Sequence, residues 1–182
     1  MRYLLLIWGL WTTCLPAQDW QTGLHMHLTP GALVTTDNFV FIAGGELEGR
    51  LTRIWNQHVE SGLSAGVATF NQVWLLPVQV SSHLVRPSRQ EGASRIYSLR
   101  LGYAPGWDPV ANQTEFFRFQ GGFRAGIQTG RRWSVGSGWR LEGGIGYLFQ
   151  QTRLGAIDAA GMINWQDNLY HFLQLQFGVS KR

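Results

Sequence analysis

From Trp20 onward, apolar and polar residues alternate two by two in segment after segment, the mark of strands with one apolar and one polar face. Arg140 to Gln150 shows it most clearly: Leu141, Gly143, Ile145, Tyr147 and Phe149 interleave with Arg140, Glu142, Gly144, Gly146 and Gln150. Arg118 to Gln128 repeats the division, with Phe119, Phe123, Ala125 and Ile127 against Arg118, Gln120, Arg124 and Gln128. Counting such segments predicts eight strands, at about Thr22 to Val34, Phe39 to Ile54, Val59 to Phe70, Val73 to Val85, Arg95 to Ala104, Arg118 to Gln128, Arg140 to Gln150 and Leu169 to Ser180. Each is long enough to cross a bilayer at a tilt, for which about 9 to 11 residues suffice.

Turn chemistry separates them. Thr35 to Asn38, Trp55 to His58, Asn71-Gln72 and Arg86 to Ser94 read as turns, and Pro105 to Glu115 reads as a loop. A connection falls somewhere within 130–138, and Thr152 to Asp167 is expected to be the longest loop. Pro30 lies inside the first strand, where a missing N–H implies a bulge or an unpaired position. Connections of hairpin length suit an up-and-down meander without helices, in one domain.

The apolar face could meet either a core or lipid. A soluble barrel would bury it; a membrane barrel turns it outward. All eight strands carry it, and the opposite face is a mixture of Gly, Ser, Gln, Glu and Arg. Lys181 is the only lysine, although lysine is what soluble surfaces and strand edges commonly use. Eight strands leave just enough interior for side chains to fill. We therefore expect an all-β, eight-stranded antiparallel up-and-down transmembrane β-barrel. Its lumen holds a structural polar network of Glu46, Glu48, Arg50, Glu60, Arg100, Arg118, Arg124, Arg140 and Glu142. Trp20, Trp55, Trp133 and Trp139 fall towards one set of strand ends, and Trp74, Trp107, Phe116, Phe117 and Trp165 towards the other, as two interfacial girdles require.

Composition sharpens this picture. Among 182 residues there are 23 Gly and 9 Trp, and only 14% are charged, unlike an ordinary soluble domain. The first residues read as an export signal: Arg2, then the apolar run Tyr3 to Trp11, then Thr12 to Gln18 with cleavage near Ala17. Residues 1–18 are expected to be removed, leaving 19–182 as the barrel. Cys14, the single cysteine, falls in that signal, so cysteine-ligated metal and disulfides are excluded from the mature chain.

Three stretches, LRLGYAPG (99–106), GGFRAGIQTGRRW (121–133) and LEGGIGYLFQ (141–150), together with the signal and the eight strands, resemble the small outer-membrane β-barrel proteins of the OmpA/OmpX type in Gram-negative envelopes. That resemblance implies an outer-membrane monomer in contact with outer-membrane lipid and delivered by the barrel assembly machinery. Many such barrels end on an aromatic that this machinery recognises; here the nearest candidate is Phe177, followed by Gly-Val-Ser-Lys-Arg.

Candidate chemistry is sparse. His25 and His27 share a strand face and could ligate a metal with His83 or a glutamate, but lumen hydrogen bonding is the expected role. His58 and His171 are expected near strand ends. Ser81, Ser82, His83 and Glu60 are the best materials for an enzyme acting on membrane lipid, with Ser82 facing lipid and Ser81 and His83 facing the lumen. Arg86, Arg89, Arg131 and Arg132 are read as lying in connections. No nucleic-acid module appears, and no cofactor or catalytic function is expected. The expected role is structural or interactive, through the outward loops; the alternatives are a soluble secreted barrel binding a small apolar ligand and a lipid-modifying enzyme.

Overall fold

The computed structural model describes residues 20–34, 39–70, 73–88, 92–108, 117–158 and 161–182. The signal segment, Phe116, Arg89 and the centre of the 105–115 loop lie outside them. The described elements are β1 (Trp20–Val34), β2 (Phe39–Ile54), β3 (Val59–Phe70), β4 (Val73–Leu75), β5 (Val78–Pro87), β6 (Ala93–Ala104), β7 (Gly106–Trp107), β8 (Phe117–Gln120), β9 (Gly122–Ser134), β10 (Trp139–Ile157) and β11 (Ile163–Lys181). Short interruptions split two of the expected strands, and β7 falls within the expected 105–115 loop. β4 continues into β5, β6 into β7 and β8 into β9, which gives eight crossings.

Every crossing pairs antiparallel with its neighbour in sequence, and β1 pairs with β11. The sheet is therefore a ring, an eight-stranded antiparallel up-and-down barrel that leaves no free edge among the crossings. Pro30 pairs with Ala43 of β2, whereas the β1–β11 ladder passes from Leu28↔Leu175 to Gly31↔Phe172. The register does not slip, so Pro30 is an unpaired position on that side rather than a bulge.

A true bulge sits at Gly121. Beyond it β8 pairs Gln120 with Arg153, while before it β9 pairs Arg124 with Gln150, so four steps on one strand face three on the other. The extra residue flips the alternation, as a period-2 strand must. Phe119, expected outside, is buried, and Arg118, expected in the lumen, is exposed at the rim, where it donates to the Phe117 carbonyl at 3.0 Å. A Cβ at Gly121 would run into the Ala104 carbonyl oxygen, so the position admits only glycine without rearrangement.

Two connections differ from expectation. The 130–138 turn is confined to Val135–Gly138, with Gly136, Ser137 and Gly138 at φ 86, 47 and 79, and β9 runs on through Arg131 and Arg132. The segment 152–167 is mostly strand: β10 and β11 stay paired from Thr152↔Asn168 to Ile157↔Ile163 and close on a tight turn in which Asp158 accepts from the Met162 and Gly161 amides at 2.9 Å. The segment expected to be the longest loop is thus carried by cross-strand pairing as an extended hairpin.

The apolar faces point outward on all sides. Leu24 is 52% exposed, Leu47 54%, Leu63 59% and Ile127 59%, while the facing positions are buried. This is the membrane-barrel arrangement, and it overturns the soluble barrel with apolar faces turned inward.

Candidate functional site

The lumen is built in two storeys. The strands that carry it alternate, so each contributes an inward residue at every second position, and register decides which meet. Nearest the short turns are Gln21, Arg140 and Ser180: Arg140 donates to Gln21 at 2.7 Å, and Gln21 bonds Ser180. Next, Arg132 donates to both carboxylate oxygens of Glu60 at 2.6 and 2.8 Å and, through Nε, to Glu142 at 2.8 Å. Arg50 then reaches Glu48 at 2.9 and 3.1 Å and Glu142 at 3.8 Å. Glu48 also accepts from Arg100 at 3.5 Å and from Gln79 at 3.2 Å. Arg100 bonds Gln174, and Arg124 pairs with Glu46.

Of the nine residues expected in the network, Glu46, Glu48, Arg50, Glu60, Arg100, Arg124 and Glu142 are buried together, Arg140 is half-buried at the turn end, and Arg118 is outside. Glu48 and Arg100 are each 0% exposed. Arg132 is the member that sequence reasoning placed in a turn. Its signal was present: Arg124, Gly126, Gln128, Gly130 and Arg132 continue one alternation without a break.

Above the charges, towards the loops, the interior turns apolar. Ile42, Phe70, Leu75, Phe119, Leu148, Tyr170 and Phe172 form one buried cluster with Ala68, Val73 and Ala104. Phe70 stands against Tyr170 and Phe172, with ring centroids 4.6 and 5.4 Å apart, and Tyr170 stacks on Phe172 at 6.0 Å. The expected polar filling is therefore concentrated in the turn-end part of the lumen, and the hydrophobic cluster, with Gln150 and Thr152 buried beside it, lies above it.

The histidines are absorbed into this packing. His25 lies 2.7 Å from Gln176 Nε2 and over Gly178, where a Cβ would overlap the imidazole. His27, with Glu46 and Glu48, offers three ligand atoms within 4.8 Å of one another, and its ring nitrogens have no hydrogen-bond partner among the described residues. Both carboxylates are engaged by Arg124, Arg50 and Arg100, so a cation entering here would meet three guanidinium groups. His83 sits between Ser81 Oγ at 2.9 Å and Ser98 Oγ at 2.7 Å, buried in the lumen. Glu60 is held by Arg132, and Ser81 and His83, both buried in the lumen, face away from the lipid that an acyl-transfer enzyme would need to reach. His58 is at a turn, as expected, but His171 is mid-strand on the outer wall, bonded to Tyr147.

The outer wall carries girdles at both ends. Trp20, Trp133 and Trp139 are exposed at the turn end, and Trp74, Trp107, Phe117 and Trp165 at the loop end. Arg53 packs over Trp55 and Trp20 at 4.3 and 5.8 Å, and Lys181 over Trp139 at 5.3 Å.

A closed ring with an apolar wall, aromatic girdles and a charged interior defines an outer-membrane β-barrel, since only closed barrels satisfy strand backbones inside a bilayer. Comparison with solved structures agrees at the level of fold. The chain is similar to Neisserial surface protein A, with a TM-score of 0.65 and 11% identity over 91% of this chain and 99% of that one. A de novo designed transmembrane β-barrel aligns over 87% of this chain and 93% of its own at 11% identity and a TM-score of 0.42. Ail, the attachment invasion locus protein of Yersinia pestis, aligns over 88% and 99% at 7% identity and 0.28. Only the first likeness is strong enough to bear on the fold. No protein-family model and no curated protein sequence matches the chain.

Proposed function

We propose that the protein is a monomeric, non-conducting, non-enzymatic surface barrel, inserted with its termini and the turns at 55–58, 88–92 and 135–138 in the periplasm and the connections at 35–38, 71–72, 108–116 and 158–162 outside. The observation that carries this reading is the double filling of the lumen. A storey of interlocked Arg–Glu pairs lies under a storey of packed rings, and both span the interior. Such a barrel is a rigid mount, and its variable chemistry lies in the loops it carries. The β10–β11 hairpin is the main candidate for surface contact: β8 pairs with β10 as far as Ala156, and Met162, Ile163 and Trp165 are exposed near the hairpin tip. Delivery by the barrel assembly machinery fits a closed ring of this kind.

The decisive measurement is conductance. Purified protein reconstituted in a planar bilayer should insert without opening steps, and its unheated form should migrate differently from the boiled form on a detergent gel. Steady single-channel conductance would replace this reading with a pore. Altered lipid A acylation on overexpression would replace it with an enzyme.

A further inference from the structure

On the outer wall, at the turn end, the registers bring three arginines into line. Arg86 of β5 is directly opposite Arg95 of β6, and Arg95 is directly opposite Arg131 of β9. All three are exposed, and none forms an ion pair with a described carboxylate. Like charges directly opposed across a sheet destabilise it, so a row of three needs a compensating anion. Within the wall, Glu142 and Glu60 face the lumen and are already held by Arg132.

The surface beside the row is shaped. An open groove of ≈ 430 Å³ is lined by Arg95, Arg131, Tyr97 and Trp133 and floored by Gly143, whose missing side chain leaves the Trp133 ring as its near wall. A second groove, ≈ 350 Å³, shares Tyr97, Thr129 and Ile145 with the first and continues between Ile127 and Tyr147 into the apolar belt. Arg86 lies 5.9 Å over the Tyr97 ring, which ties the third arginine to the same track.

We infer that this track binds one anionic phospholipid of the turn-side leaflet, its phosphate on Arg86, Arg95 and Arg131 and an acyl chain along Tyr97, Thr129, Ile127 and Ile145. Charge complementarity selects the headgroup, and the grooves' continuity from girdle to belt selects a molecule with a head and a tail. A soluble phosphate would use the first half only. The inference rests on the outer-membrane reading, which the gel-mobility shift tests separately.

The test is native mass spectrometry of the full folded chain released from detergent micelles holding equimolar phosphatidylglycerol and phosphatidylcholine with identical acyl chains. Phosphatidylglycerol adducts should dominate, and their preference should fall roughly fivefold for each arginine replaced in Arg95→Gln and Arg95→Gln/Arg131→Gln. Gly143→Leu should weaken both lipids by filling the track while leaving the charges in place. Equal adducts of the two lipids on the wild type would overturn the site. So would a preference that survives both arginine replacements, or displacement of the lipid by glycerol 3-phosphate alone. Each variant is first shown to keep the unheated gel shift, so loss of folding is not read as loss of binding.

Discussion

The two storeys of the lumen solve the same problem by opposite means. In the turn-end storey, Glu48 satisfies Arg50, Arg100 and Gln79 at once, so each group depends on others that cannot turn to water. In the loop-end storey, Phe70, Tyr170 and Phe172 contribute contact area that shrinks gradually when one of them is trimmed. Removing one partner of a buried pair strands a charge, whereas trimming an apolar side chain leaves a gap the neighbours partly fill. The lower storey should therefore fail abruptly and the upper one by degrees.

The strongest break of that contrast is Glu48→Gln, which should lower stability by about 3–5 kcal/mol, read as the shift in urea midpoint of the unheated gel form. A loss no greater than that of an apolar trim would erase the distinction. Glu46→Gln and Arg124→Gln sharpen it: together they should cost less than the sum of the singles, with a coupling of about 1–3 kcal/mol. Additivity in that cycle would mean the pair is not mutually dependent. Above them, Phe172→Leu should cost about 1 kcal/mol, measured in the same titration. The smallest effect belongs to Arg153→Ala. Its pair with Asp167 at 2.7 Å is about half exposed on both sides, and the loss should stay below about 0.5 kcal/mol.

The eight crossings and the outward turn of their apolar faces were legible because period-2 alternation is a local signal. Where both faces of a strand are apolar, that signal vanishes. Leu148 and Phe172, set among Tyr147, Phe149, His171 and Leu173, gave no sign that a hydrophobic layer caps the charges. Arg118 was misplaced because a single inserted residue at Gly121 reverses every side chain beyond it, and nothing in the local pattern separates that bulge from a continuous strand. Arg132 was lost because the connection was expected anywhere within 130–138, a range that includes it. The Arg86–Arg95–Arg131 row is a product of register between three strands; two of its members look, in sequence, like the edges of turns.

One consequence of Pro30 concerns how the ring closes. The β1–β11 seam joins residues from the two ends of the described chain, Thr22 with Lys181 among them, so it encloses the longest loop of any pairing and carries the largest entropic cost of closure. It also lacks rungs at Thr29 and Pro30. The slowest step of assembly and the first gap in unfolding should therefore fall on the same line along the wall, and hydrogen exchange at Leu28 and Gly31, which flank the gap, should outpace exchange at Gly146 and Tyr147, which pair with the same stretch of β11 from the other side.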